Sequence, residues 1–195
     1  TPSAWLGEEI DDPAIDPATA ASQLAASWLA RFGPATATDL QWWTGWTLSD
    51  TRRALDDAGA VVVAMETADG DIDAWLAPDD LDAVRGSSKW VALLPGLDPT
   101  TMGWKDRSWY LDAGVASHVV DRNGNAGPTI WVEGRVVGSW VQRKDGTIAL
   151  GWLTDVPPAR RAQVEATARV LEHELGDTRF TMRFPAPIQA ELLSS

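Results

Sequence analysis

Asp121-Arg122-Asn123-Gly124-Asn125-Ala126-Gly127-Pro128 places one carboxylate, one guanidinium, two amides and two glycines within a single short stretch. Two kinds of chemistry suit these residue types. Carboxylate and amide oxygens at alternate positions can hold calcium, whereas a guanidinium and amide N–H groups on a glycine-bearing loop can contact a phosphate. Calcium fits only the first half of the pattern. Asp121, Asn123 and Asn125 stand at ligand positions one, three and five, but Ala126 occupies position six, where glycine is needed, and Val132 takes position twelve, where a bidentate glutamate belongs. A plain tight turn accounts for the glycines and asparagines through positive φ. It accounts less well for Arg122 beside two amide side chains, with Arg135 just beyond the loop as a second cation. On these residues a turn that merely joins two elements and a surface that touches phosphate both stay open.

A second stretch, Trp104-Lys105-Asp106-Arg107-Ser108-Trp109, interleaves cations with aromatics. That alternation suits nucleic acid, where bases stack on rings and cations follow the backbone. It equally suits a core aromatic pair with a solvated Lys-Asp-Arg face. Metal and hydrolytic chemistry are poorly supplied. His118 and His173 are the only histidines, and there is no cysteine and no His-x-x-x-His spacing for zinc. Neither histidine has a recognisable serine partner, and neither a Gly-x-Ser-x-Gly nor a Gly-x-x-x-x-Gly-Lys motif occurs. The acidic pairs Asp56-Asp57 and Asp79-Asp80 read as solvated charges at helix ends. The residues themselves thus point to no catalytic constellation, no metal and no cofactor.

Composition narrows the class further. The chain has 195 residues, 45% hydrophobic and 23% charged, in the range of an ordinary globular protein long enough for one large domain or two small ones. No apolar run approaches the roughly 18 residues of a membrane span, and no secretory signal opens the chain. The absence of cysteine favours a reducing compartment, and a cytoplasmic location is expected. The chain starts at Thr1, as a processed or trimmed piece would. Its formal net charge of -12 is unevenly placed: residues 1–97 carry 5 basic and 16 acidic side chains, residues 98–195 carry 11 and 12. An acidic first half repels phosphate and excludes general nucleic-acid binding there. The second half is close to neutral, so arginine clusters within it can still face a polyanion. Most of the twelve tryptophans are expected to be core or half-buried anchors.

The elements that must position these residues follow from periodicity and caps. Residues 1–17, rich in acid and proline, read as a linker or tail. A helix over 18–33 is expected to set Leu24, Trp28 and Leu29 on one face. Thr36 or Thr38 caps a short helix carrying Leu40 and Trp43. Thr47 or Ser49 caps the next, which Gly59 ends. A strand from Ala60, a turn centred on Asp69-Gly70 and a returning strand complete the order of a winged helix over 18–85. The second helix of its helix-turn-helix, Leu48 to Ala58, carries two arginines and three aspartates, and its wing one glutamate and three aspartates, so this unit is expected to serve as scaffold or protein contact rather than base reader. Residues 86–195 read as an α/β C-terminal domain, itself winged-helix-like. A short helix from Pro78 precedes it; the domain opens with a strand over 89–96, and a helix over 113–120 follows. An antiparallel β-meander then spans 128–153, followed by an amphipathic helix with Val164, Ala168 and Leu171 on one face, and a closing strand over 178–184. The fold class is α+β.

Three stretches, Arg31 to Leu55, Leu93 to Leu111 and Asp121 to Trp140, resemble a bacterial family of tandem winged-helix DNA-binding proteins, the AlkZ-like and interstrand-crosslink DNA glycosylases. The resemblance covers about residues 20–180, and Asn-Gly-Asn-Ala-Gly-Pro-Thr is its most specific part. It implies winged-helix units around a basic concave surface that cradles duplex DNA, and hydrolysis of the N-glycosidic bond of alkylated purines. It assigns DNA contact to Lys105, Arg107, Arg122, Asn123, Asn125 and Arg135. The family's catalytic Gln-x-Gln or Gln-x-Asp is absent: Gln41 precedes two tryptophans, and Gln142 precedes Arg143 and Lys144. The chain is therefore expected to be the DNA-binding C-terminal portion of a repair protein, with duplex DNA, damaged or intact, as partner and the catalytic half elsewhere; whether the chain is itself an enzyme stays open. A non-catalytic protein-interaction or scaffold module, and a winged-helix transcription regulator, are the alternatives.

Overall fold

The computed structural model describes residues 15–67, 70–82, 86, 89–182 and 185–194. It divides into two units, Thr1–Asp82 and Ala83–Ser195, each mixed α/β with its own antiparallel sheet. The expected linker at 1–17 falls almost wholly outside the described residues.

In the first unit, Asp16 caps helix α1 (Pro17–Phe32) by accepting from the Thr19 N–H. The buried stripe is Ala25, Trp28 and Leu29; Leu24 is exposed, because Ala25 is the residue that keeps helical spacing with Trp28 and Leu29. Helix α2 (Ala37–Thr44) opens on a full capping box, Thr36 and Asp39 each satisfying the other's backbone N–H. Ala37 and Leu40 form its buried side, while Trp43 points outward, against expectation. Gly45, at φ 75°, ends the helix in the left-handed conformation. Thr47 then caps α3 (Leu48–Asp57), which buries Thr51, Ala54 and Leu55. Strands β1 (Val61–Thr67) and β2 (Gly70–Leu76) pair antiparallel, and Ala35 bridges to Trp75 on the outer side of β2. Gly70 is paired with Thr67 inside the ladder, so it does not lie at the centre of the turn; Asp69 lies outside the described residues. The helix expected from Pro78 is absent among described residues 78–82, where a turn stands instead. Three aspartates and an exposed Leu81 give that segment no apolar face to bury.

The second unit is a four-stranded sheet in the order β3 (Val91–Leu94), β4 (Thr129–Val132), β5 (Arg135–Gln142) and β6 (Ile148–Trp152). The turn at Glu133-Gly134 joins β4 to β5, and the Lys144-Asp145-Gly146 turn joins β5 to β6. The first strand adds a fourth member to the expected meander. A bulge where Ile130 and Trp131 meet β5 lets Val137 share a face with Ile130 and Trp140. Between β3 and β4 lie a one-turn helix, α4 (Pro99–Met102), capped by Asp98, and α5 (Ala113–Val119). One face of the sheet packs Trp131 and Val136 against Tyr110, Val115 and Val119 of the α5 segment and against Ile188. The other packs Ile130, Val132 and Trp140 against Val164 of helix α6 (Pro158–Leu175).

Of the closing strand expected over 178–184, described residues 178–182 form none, and residues 183–184 lie outside the described residues. The Gln142 side chain supplies what a neighbouring strand would: its Nε2 donates to Thr178 O at 3.0 Å, and its Oε1 accepts from Phe180 N–H at 3.0 Å. A final helix, α7 (Pro187–Ser194), follows and packs on β5 and β6. Its Gln189 is fully buried, accepts from Ala186 N–H at 2.8 Å and donates to Ser139 Oγ at 3.0 Å. Ser139 donates in turn to Pro128 O. This chain of bonds ties α7, β5 and the entry to β4 together.

Candidate nucleic-acid interface

The loop after α5 closes on its own first residue. Asp121 Oδ1 accepts from the N–H groups of Asn123 at 2.8 Å and Asn125 at 2.9 Å, and Oδ2 accepts from Asn125 Nδ2 at 3.1 Å. The backbone closes as well, with Asp121 N–H donating to Asn125 O and Gly124 N–H donating to Asp121 O. These bonds, that from the Asn125 N–H first, hold the Asp121 carboxyl below its ordinary range. The carboxylate thus occupies donors that would otherwise be offered to a phosphate. Gly124, at φ 85°, makes the turn, and Arg122 and Asn123 stand exposed at its tip.

Arg107 braces this loop from below. Its Nη1 donates to Gly124 O at 3.0 Å, and Nη2 lies 3.6 Å from the sulfur of Met102. Lys105 is exposed on the preceding turn. The flanking aromatics pack on one another. Trp104 and Trp109 meet edge to face at 5.0 Å, Trp109 and Tyr110 at 4.7 Å, and Tyr110 stacks on Trp131 at 5.1 Å. Tyr110 donates its hydroxyl to Thr101 O at 3.1 Å. The Trp-Lys-Asp-Arg-Ser-Trp stretch is therefore chiefly the edge of an aromatic core, although Trp109 keeps 53% of its surface exposed.

The structure brings Arg107, Arg122, Asn123 and Asn125 into one place. Arg135 lies elsewhere. It pairs with Asp112 at 3.2 Å, at the start of the seven-residue α5, whereas the loop follows the end of that helix, about 10 Å away by helical rise. Gly127 is a further correction to a simple phosphate loop. A Cβ there would collide with Gln189 Nε2, so its small size serves close approach to the protein's own core. Neither His118 nor His173 joins a site: both are exposed, and no group of three or more metal-ligating side chains occurs among the described residues.

Sequence reading did not find a cleft of about 1010 Å³ beside the loop, bordered by Leu97, Asn125, Trp140, Lys144, Phe180 and Leu193. No motif could have signalled it, because its walls come from four separated segments. The nearby Arg179 is occupied by carbonyls of Lys144, Asp145, Gly176 and Thr178, which fix the β5–β6 turn. Charge separates the two units sharply. The first carries 3 basic and 16 acidic side chains, a net -13; the second carries 13 and 12, a net +1.

The second unit, an antiparallel sheet with helices and an arginine-braced polar loop, carries a candidate backbone-contacting surface; the first is a separate, acidic unit of three helices and a hairpin. The family model of the DNA glycosylase AlkZ-like proteins matches residues 1–177, and the chain belongs to that family. Among solved structures it is similar to the Streptomyces sahachiroi DNA glycosylase AlkZ, with a TM-score of 0.70 and 23% identity over 93% of this chain and 50% of that one. The chain thus spans about half the length of that relative. No curated protein matches it in sequence. No helix among the described residues is long and apolar enough to cross a membrane.

Proposed function

We propose that the chain is a duplex-DNA-binding portion of a glycosylase-related repair protein, and that the second unit supplies the DNA surface. The observation that carries this is the closed loop at 121–127. It holds Arg122 and Asn123 outward on a hydrogen-bonded, Arg107-braced turn, in a unit whose net charge does not repel phosphate. Within this reading, Arg122, Asn123 and Lys105 touch the DNA backbone. Arg107 and Asn125 act by holding the loop, and Arg135 makes a separate contact beyond α5. The whole protein of which such a portion forms part would excise an alkylated base by hydrolysis of its N-glycosidic bond. No residue of this chain is assigned to that step.

The first unit is proposed to be a winged helix that does not read bases. Three helices followed by a hairpin support the first half of that statement, and charge supports the second. By strand alternation, Glu66, Asp71 and Asp73 share one face of the hairpin with Val62, and phosphate would be repelled there.

Fluorescence anisotropy with duplex DNA tests the proposal, from about 20 to 200 mM salt, with each phosphate contact adding about -0.9 to the slope of log affinity on log salt. The wild-type chain is expected to bind with affinity falling steeply with salt. A variant with Lys105, Arg107, Arg122 and Arg135 replaced by alanine is expected to lose most of both affinity and slope. Binding that is insensitive to salt, or unchanged in the variant, would overturn the assignment.

A further inference from the structure

An exposed leucine needs no explanation by itself, since much of any protein surface is apolar. Leu97 has properties that set it apart. Its side chain is 60% exposed, yet its backbone adopts φ 60°, a left-handed conformation in which glycine or asparagine is less strained. The position is also fixed on both sides. Leu97 N–H donates to Ala126 O at 2.8 Å, which ties it to the residue directly after Asn125. The next residue, Asp98, caps α4 by accepting from Thr100 N–H at 2.8 Å. A branched apolar side chain is thus held outward, on a backbone that disfavours it, immediately beside the loop that presents Arg122 and Asn123. Phe180, also largely exposed, borders the same cleft.

We propose that Leu97 is an unstacking wedge, inserted between adjacent base pairs of the duplex that the neighbouring loop holds by its backbone. Leucine is among the side chains that enter a base step and kink it, and such a wedge works only when its mount resists being pushed back. The two hydrogen-bonded anchors provide that mount. The inference rests on the DNA-binding reading above and deepens it: the partner becomes duplex DNA that is bent or already gapped, rather than any polyanion.

The test uses the full chain and duplexes carrying 2-aminopurine at successive positions, whose fluorescence rises on unstacking. The wild type is expected to raise the signal at one step and to prefer a duplex with an abasic gap over an intact one by about tenfold, because the gap removes the cost of unstacking. Leu97→Ala, which keeps the left-handed strain, is expected to lose both the signal and the preference for the gap while keeping the salt-dependence slope that the phosphate contacts set. Leu97→Gly relieves the strain and serves if the alanine variant does not fold; it should lose the same two readouts. Duplex binding by the wild type with no fluorescence change, or a change that survives in both variants, would overturn the wedge and leave the DNA reading standing. Absence of duplex binding at every salt concentration would overturn both.

Discussion

Gly124 and Gly127 stand three residues apart and answer to different constraints. Gly124 has φ 85° with open space where a Cβ would go, so Gly124→Ala should cost about 1–2 kcal/mol through backbone strain alone. Gly127 has no such φ, but its Cβ would collide with buried Gln189, so Gly127→Ala should cost about 1–3 kcal/mol by overpacking and should also loosen α7. Urea denaturation measures both losses, and limited proteolysis separates the two variants. Greater protease sensitivity near residue 187 in Gly127→Ala alone would mark the collision, and equal sensitivity in both would refute it. Asp121 offers a pH readout at the same scale. Its folded pKa lies below the ordinary 3.8, so its contribution to stability is fully present above that value and is lost as pH falls through the lower folded value. A carboxyl NMR titration should find the Asp121 midpoint below 3.8. Asn125→Ala should move it only partway back, because the leading cause, the residue-125 backbone N–H, survives the substitution. A midpoint at or above the ordinary value would mean that the loop does not close on this carboxylate.

At the scale of elements, α7 is anchored by the buried Gln189 as well as by apolar Ile188 and Leu192. Gln189→Ala leaves Ser139 Oγ and the Ala186 N–H without their buried partner and opens a cavity, and about 2–4 kcal/mol of destabilisation is expected. Thermal unfolding checks this, and a loss under about 0.5 kcal/mol would show that the helix docks without it. The same helix marks the limit of what the sequence made legible. Elements whose ends carry their own chemistry could be read directly: Thr36 and Thr47, each one of two candidate caps, at helix starts, Gly45 and Gly59 at helix ends, and the turns at Glu133-Gly134 and Lys144-Asp145-Gly146. Residues 178–194 could not be read so. Residues 178–182 alternate like a strand, but the Gln142 side chain takes the ladder positions, a long-range substitution that no local pattern encodes. The candidate site was legible to the same extent. The residue types in 121–127 pointed to a polar, glycine-dependent loop. That Asp121 consumes the amide donors, that Gly127 serves Gln189, and that Arg135 sits beyond the far end of α5 all depend on tertiary placement.

At the scale of the whole molecule, the -13 of the first unit against the +1 of the second makes a prediction that needs no contact between the hairpin and DNA. Charges act through water over a Debye length, about 30 Å at 0.01 M salt and about 8 Å at 0.15 M. Replacing Glu66, Asp71 and Asp73 by their amides removes three negative charges from one hairpin face. Duplex affinity should therefore rise at the lower salt, and the gain should vanish at the higher. A gain that persists at 0.15 M would place the hairpin within direct reach of phosphate, contrary to the role proposed for the first unit. A fall in affinity would mean that these acids support the DNA-binding state. Stability supplies an independent check on the same variant. Glu66 and Asp71 are directly opposed across the strands, and such like-charged pairs destabilise a hairpin by about 0.2–1 kcal/mol. The triple amide variant should thus unfold at a higher temperature without any DNA present. If it does, the acidic face is kept at a cost to the fold, and that cost is what a role in repelling DNA or contacting a basic protein surface would explain; if it does not, the face is tolerated because solvent screens it, and charge alone gives no reason to assign it a partner.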